Sequence, residues 1–324
     1  LSFIGPMRGC RNARYCPGIF LALLLVTLAG CATPQTDRLI ESAAAFPQPV
    51  ELTAVPFFPQ EAYQCGPAAL ATVLNGSGLN VAPETLTPQV YLPERQGSLQ
   101  FELLAAARRH GRVPYVLRPQ LGAITTEVAS GHPVLVLQNL SLAISPQWHY
   151  AVVVGFDLTR AEVMLRSGRE RRHITTLRTF EHTWRRGDYW AVVVLPPDEL
   201  PQTAEELPYL QSVLALEKLK RWQDTATAYG NALTRWPKSL GAHMGLGNSR
   251  YALGDLRAAE AAFRAATRAH PDAAVAFNNL AQALADQKRW REAEQMARKA
   301  VDIGGDNADV FRQTLARVEA RRKD

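Results

Sequence analysis

The stretch YQCGPAAL, residues 63 to 70, sets Cys65 at the start of a helical pattern. The reactive form of cysteine is the thiolate, and a helix N-terminus stabilises it. Gly66 and Pro67 follow. Pro suits the first helical turn, and Gly lets a substrate backbone come close. Amides exposed there can hold the oxyanion formed when sulfur attacks a carbonyl. Upstream, VPFFPQ ends in Gln60, whose side-chain amide can donate a second oxyanion hydrogen bond; on spacing alone it is equally a loop residue. The thiol also needs a base. His243 and His270 lie in C-terminal repeats, His110 precedes a helix-ending Gly, and His132 sits in the turn GHPV. His173 falls near a strand edge in a basic cluster, and His182 in a short helix. His149 differs, because it starts the apolar strand HYAVVVGFD just after the loop SPQW. There a strand fixes a side chain that can face a cleft, with Trp148 and Tyr150 on the opposite face. The chemistry these residues could do is acyl transfer through a thioester. A buried, inert cysteine is the bland alternative.

The remaining cysteines bear on that choice. Arg8, Arg11 and Arg14 precede GIFLALLLVTLAG, an apolar stretch short for a bilayer span and in the form of an export signal. It ends in LAGC, residues 28 to 31, which resembles the lipobox of bacterial lipoproteins. That resemblance implies removal of residues 1–30 and lipidation of Cys31. With Ala32 rather than Asp next, it also implies an outer-membrane lipoprotein facing the periplasm. A transmembrane anchor is the alternative. Of the four cysteines, Cys10 and Cys16 then leave with the signal and Cys31 carries lipid. Cys65 is left without an intrachain partner in a compartment where paired cysteines form disulfides. Its pKa is expected below the roughly 8.5 of a free thiol.

The elements that must position these residues fall into two halves. Residues 31–50, rich in Pro, Gln and Ala, read as a lipidated tether. Residues 51–197 mix periods. GPAALATVLNGSG and SLQFELLAAARRHG are helical, the second with Ser98 as N-cap candidate. HPVLVLQNL, WHYAVVVGFD, EVMLRSG, RRHITTL and YWAVVVLPP are strands, with the short helix TFEHTWRRG before the last. Helices followed by a meander of strands predict an α+β domain with an antiparallel sheet. PPDELPQTAEELP contains a linker, residues 198–205, expected as a protease-sensitive hinge. Beyond it Trp222, Leu256 and Trp290 recur at the 34-residue period of tetratricopeptide repeats, as do Pro237, Pro271 and Gly305. Repeats over 206–239, 240–273 and 274–307 and a closing helix to residue 324 predict an all-α solenoid. The middle copy fits best; the first departs, with Thr225 at a small-residue position.

The Gln60, CGPAAL and HYAVVVGFD motifs, in that order, resemble the bacteriocin-processing (double-glycine leader peptidase) branch of the papain-like cysteine peptidases. The resemblance covers about residues 52–197. It implies a papain-like fold with Cys65 as nucleophile, His149 as general base and Gln60 as oxyanion donor. The family usually carries an Asp about a strand and a turn after the histidine, where this chain reads LRSG. Arg166 or Ser167 occupies that place, Asp157 reads as a turn cap, and Asn139 is a further candidate orienting group.

Together these features predict a thiol hydrolase, most simply a cysteine peptidase. Its repeats are expected to recruit a protein substrate or partner, and its lipid to hold it to a membrane. A non-catalytic peptide-binding scaffold and a peptidoglycan peptidase or amidase are the rivals. No cofactor or metal is implied, since one cysteine and scattered histidines offer no ligand cluster. Without the three signal arginines the formal charge of +6 falls to +3, too mild for a nucleic-acid binder.

Overall fold

The β-branched runs of the first half become the spine of a seven-stranded antiparallel sheet. The computed structural model describes residues 33–46, 49–60, 64–142 and 144–323. The export signal and Cys31 lie outside the described residues. Strands β5 (Val134–Asn139), β6 (Trp148–Asp157), β7 (Glu162–Ser167) and β8 (Glu170–Thr176) form the expected meander. The last strand, β9 (Ala191–Leu195), leaves that order and inserts between β5 and β4 (Val113–Val116). A two-residue β1 (Val50–Glu51) adds to β6. The run VLVL in β5 is buried on both faces, which is why it reads as continuously apolar. Val134 and Val136 enter one core, while Leu135 and Leu137 enter the other. The second core is closed by α2 (Cys65–Gly76), α3 (Pro83–Val90) and α4 (Gln100–Arg109), through Leu70, Val73, Leu86 and Leu103. Between α3 and α4 lies a small hairpin, β2 (Tyr91–Leu92) and β3 (Gly97–Ser98). The first core is closed by α5 (Leu121–Ala129) and α6 (Leu177–Arg185), through Ile124, Phe180 and Trp184.

Residues 34–41, expected within the tether, instead form helix α1 (Pro34–Glu41), and Thr36 and Leu39 are buried against the domain. Pro at the first turn and Asp37 in it are helix-start signals that the Pro-rich composition obscured. The carboxylate of Glu181 accepts from the amides of Gln35 (3.2 Å) and Thr36 (2.7 Å), an anion seated on the helix N-terminus.

The second half is a run of paired helices: α7 (Glu206–Glu217) with α8 (Trp222–Arg235), α9 (Leu240–Ala252) with α10 (Leu256–Ala269), and α11 (Ala274–Asp286) with α12 (Trp290–Ile303). Helix α13 (Ala308–Lys323) closes it. A Cβ on Gly247 would lie 2.3 Å from the Phe263 ring, so glycine there lets α9 and α10 touch. The departure at Thr225 is satisfied locally: its buried hydroxyl pairs with Ser249 Oγ at 2.8 Å. The fold is therefore an α+β region with an antiparallel sheet, followed by an all-α solenoid of paired helices.

The hinge expected between the halves is not found. Tyr209 and Val213 of α7 and Tyr229 of α8 belong to the same core as the sheet, and the Tyr209 ring meets Tyr115 at 6.5 Å. Linker residues dock on Glu127, a fully buried carboxylate of α5. It accepts from the Thr203 amide (2.7 Å), the Thr203 hydroxyl (2.6 Å) and the Gln202 amide (3.2 Å), and pairs with His132 Nδ1 at 2.7 Å. Sequence distance hid this contact, since Pro and acidic residues read as exposed. Limited proteolysis is expected to spare residues 198–205. Replacing Glu127 with Ala strands the Gln202 and Thr203 donors and should destabilise both halves together by about 3 kcal/mol, the scale of buried hydrogen bonds to a charged group lost with their acceptor. Two separate unfolding transitions in the wild type would contradict a shared core.

Candidate active site

Helix α2 begins at Cys65, with Gly66 and Pro67 in its first turn. Gln60 precedes it on a strap that crosses the end of the sheet. Buried Arg166 fixes that strap, donating to the carbonyls of Val55 (3.2 Å) and Arg171 (2.6 Å). Arg166, one of the residues in the expected Asp position, is thus a scaffold group aimed away from the histidine. Gln60 is clamped on both sides. Its Oε1 accepts from the Gly168 amide (3.1 Å), its own amide donates to the Gly168 carbonyl (2.9 Å), and Nε2 donates to the Tyr150 carbonyl (3.3 Å). The second Nε2 hydrogen has no such partner among the described residues. Gln60, Cys65 and His149 line one cavity of about 880 Å³.

His149 enters from β6, opposite Gln138 of β5. Its Nε2 is 2.8 Å from Ser167 Oγ. The β7–β8 register shifts between Leu165 and Ser167, and such irregularities re-aim side chains at strand ends. Asn139 does not reach the histidine. Its Oδ1 accepts from the amides of Ser141 (3.0 Å) and Gln147 (2.9 Å) and so closes the loop that leads into His149. Asp157 caps its turn through Thr159 and Arg160. With Nε2 facing a hydroxyl, the tautomer that leaves Nδ1 free as a base carries its proton on Nε2 and donates it to Ser167.

The electrostatics depart from expectation. Burial pushes the Cys65 thiol above its ordinary value, and the amides of Tyr150, Gly66 and Cys65 offset this only in part. The expected lowered pKa is therefore overturned: the helix start is present, but desolvation of the thiolate outweighs it. Burial also holds the His149 imidazole down to about 4, with nearby His173 adding to the effect. Among the described residues no carboxylate is hydrogen-bonded to either ring nitrogen to lift it. At rest Cys65 is a neutral thiol and His149 a neutral imidazole, both on the wall of the same cavity.

A pH prediction follows from the histidine. Its folded value lies below the ordinary 6.5, so the unfolded chain takes up the proton first as pH falls. The stability tied to the neutral ring is complete above about 6.5 and lost toward about 4, by up to roughly 3 kcal/mol. Denaturant unfolding across this range should show the loss in the wild type and a flatter curve in His149→Gln. Superimposable curves would contradict a buried, neutral His149.

Two features of the site had no clear sequence signal. Ser98 is not the cap of α4, whose N-cap is Leu99. It lies in β3, and a Cβ on Gly66 would sit 2.3 Å from its hydroxyl, so the hairpin closes directly over the start of α2. The Ser98 hydroxyl is buried without a hydrogen-bond partner, and the Tyr150 hydroxyl donates to its carbonyl at 3.2 Å. A second cavity of about 330 Å³ lies beside His149 and is lined by Ser167, Glu170, His173 and Thr175. Of the other histidines, His243 and His270 contact the carbonyls of Pro237 and Lys238, while His173, in the second cavity near His149, pairs with Glu170 at 3.1 Å.

This arrangement agrees with two family profiles. Residues 52–191 match the Peptidase_C39 like family, and residues 245–308 match the tetratricopeptide repeat. The chain thus has a region similar to the Peptidase_C39 like family, followed by a region similar to tetratricopeptide repeats. Solved structures similar to it include a C39-like peptidase from Bacillus anthracis, at 17% identity over 46% of this chain and 98% of that one, with a TM-score of 0.38. The tetratricopeptide domain of Sgt2 from Aspergillus fumigatus is 19% identical over 35% of this chain and 76% of that one, with a TM-score of 0.33. The Yersinia enterocolitica type III secretion chaperone SycD, solved with a peptide of the translocator YopD, is 13% identical over 35% of this chain and 91% of that one, also at 0.33. No curated protein matches the chain.

Proposed function

We propose that the protein is a thiol hydrolase cleaving peptide bonds, with Cys65 as nucleophile, His149 as base and Ser167 as the group that orients it. The observation that carries this reading is the convergence of Gln60, Cys65 and His149 on one cavity, with Ser167 behind the histidine. Cys65 Sγ bonds the carbonyl carbon while its proton passes to His149 Nδ1. The carbonyl electron pair moves onto oxygen, held by Gln60 Nε2 and the Cys65 amide. Collapse breaks the C–N bond, and His149 gives its proton to the leaving amine. Water then attacks the thioester, passing a proton to His149; Sγ leaves and recovers it. Because the resting pair is neutral, thiol deprotonation is coupled to attack, and kcat/KM is level through the neutral range, falling only toward about pH 4 as His149 takes up a proton.

In this reading Cys31 anchors the protein in the outer membrane facing the periplasm, and the repeats recruit a protein substrate or partner without taking part in cleavage. A non-catalytic peptide-binding scaffold is the second reading. The raised thiol, the lowered imidazole and the missing carboxylate favour it. Digestion of an unfolded protein such as reduced casein separates the two. The hydrolase reading expects fragments from the wild type and none from Cys65→Ala. Intact casein in both, with casein still bound to the protein, supports the scaffold.

A further inference from the structure

The walls of the catalytic cavity carry two arginines with no partner. Arg95 stands on the tip of the β2–β3 hairpin, beside the left-handed Gln96, and Arg169 follows Gly168 on the β7–β8 turn. Neither makes a hydrogen bond or ion pair with any described residue. Elsewhere on the domain surface, Arg160, Arg172 and Arg178 are each held by a carboxylate. The hairpin closes over the start of the nucleophile helix, through Ser98 against Gly66. Gly168 is bound to Gln60, and Ser167 to His149. One arginine therefore flanks the nucleophile and the other flanks the base. Asp188 is the acidic residue in the same lining, and Glu170, next to Arg169, is occupied by His173.

Arg169 also lines the second cavity, which shares Gln147, His149 and Gly168 with the first. A base that must hand its proton to the leaving amine has the leaving segment on its own side. That segment passes Arg169, while the acyl segment passes the hairpin and Arg95.

From this we infer that the site selects peptides with acidic side chains flanking the scissile bond, read by Arg169 on the leaving side and Arg95 on the acyl side. The inference rests on the reading of this cavity as the place where a peptide crosses Cys65. Guanidinium groups suit the role, since they stay charged and take a carboxylate through two parallel N–H donors. Two arginines in one cavity lining, unpaired among the described residues, also repel basic segments, so selection comes from both signs of charge.

The test uses protection of Cys65, so its result does not depend on turnover. The full chain is alkylated with iodoacetamide, which is neutral, in the presence of Ac-Ala-Ala-Glu-Glu-Ala-Ala-Glu-Glu-Ala-Ala-amide or its Lys counterpart, and labelling is read at Cys65 by mass spectrometry of its peptide. Each variant is scaled to its own rate without peptide. The Glu peptide is expected to slow alkylation roughly tenfold more than the Lys peptide at low salt, the scale of two accessible charge pairs. The difference should shrink in 0.5 M salt, where the Debye length falls to roughly 4 Å. Arg95→Glu/Arg169→Glu should reverse the preference. Equal protection by the two peptides, no protection by either, or a preference unchanged by the double reversal overturns the inference. Failure of the casein digestion with this preference intact would remove the hydrolase reading and leave an acidic-peptide binding site.

Discussion

Replacing Ser167 with Asp is expected to raise kcat/KM at pH 7 by about ten- to a hundredfold, a gain rather than a loss. Ser167 Oγ lies 2.8 Å from His149 Nε2 and accepts its proton as a neutral hydroxyl. A carboxylate within reach of a histidine raises its pKa by roughly 1–3 units. Starting from about 4, that brings the ring into the range where it holds a proton near neutral pH. Each unit favours proton transfer from Cys65 by about 1.4 kcal/mol. Room exists, because the second cavity opens beside Ser167. Steady-state kinetics from pH 5 to 9, with a melting curve to confirm folding, reads the outcome. The acid limb of kcat/KM should lie at higher pH in the variant than in the wild type, following the raised ring, and the variant should lose less stability as that ring protonates. Unchanged activity in a well-folded variant would mean that the hydroxyl is a packing group and not the orienting one.

The largest expected loss comes at His149 itself. His149→Ala should lower kcat/KM by about 10²–10⁴-fold, the range for removal of a general acid–base. Both proton transfers of the cycle pass through this ring. In a neutral pair nothing else lowers the barrier to losing the thiol proton, since burial already holds Cys65 above its ordinary value. Truncation also opens space at the cavity wall, so added imidazole should restore part of the activity. His149→Gln fills that space, keeps a donor toward Ser167, and should be as inactive but not rescued. Activity loss below about fivefold in the Ala variant would leave His149 no role in proton transfer.

Much of this site was legible because its residues sit where backbone geometry forces them. Cys65 opens a helix, His149 starts the most apolar strand, and the two recur with Gln60 in a fixed order. Ser167 was visible as one of two residues in the expected acid position, but only the irregular β7–β8 register chose it over Arg166. The repeat period announced the solenoid, since each helix pair must bury the same small and large positions. What could not be read was set by tertiary burial. The sign of the Cys65 shift depends on how much water the hairpin excludes, and the helix start alone pointed the other way. Helix α1 and the docked linker look like spacers in composition. Their ordering comes from Glu181 and Glu127, buried carboxylates far away in sequence. The arginines on the cavity lips fall in unremarkable turns, and only the fold brings those turns to the nucleophile.

Trapping the acyl-enzyme tests the central claim most directly. The protein is mixed with p-nitrophenyl acetate at pH 7.5, quenched in acid, and digested for mass spectrometry. One acetyl group is predicted on Cys65, formed much more slowly in His149→Ala and absent in Cys65→Ser. No acetyl group on Cys65, or the same rate of labelling in wild type and His149→Ala, would contradict a thioester mechanism at this site.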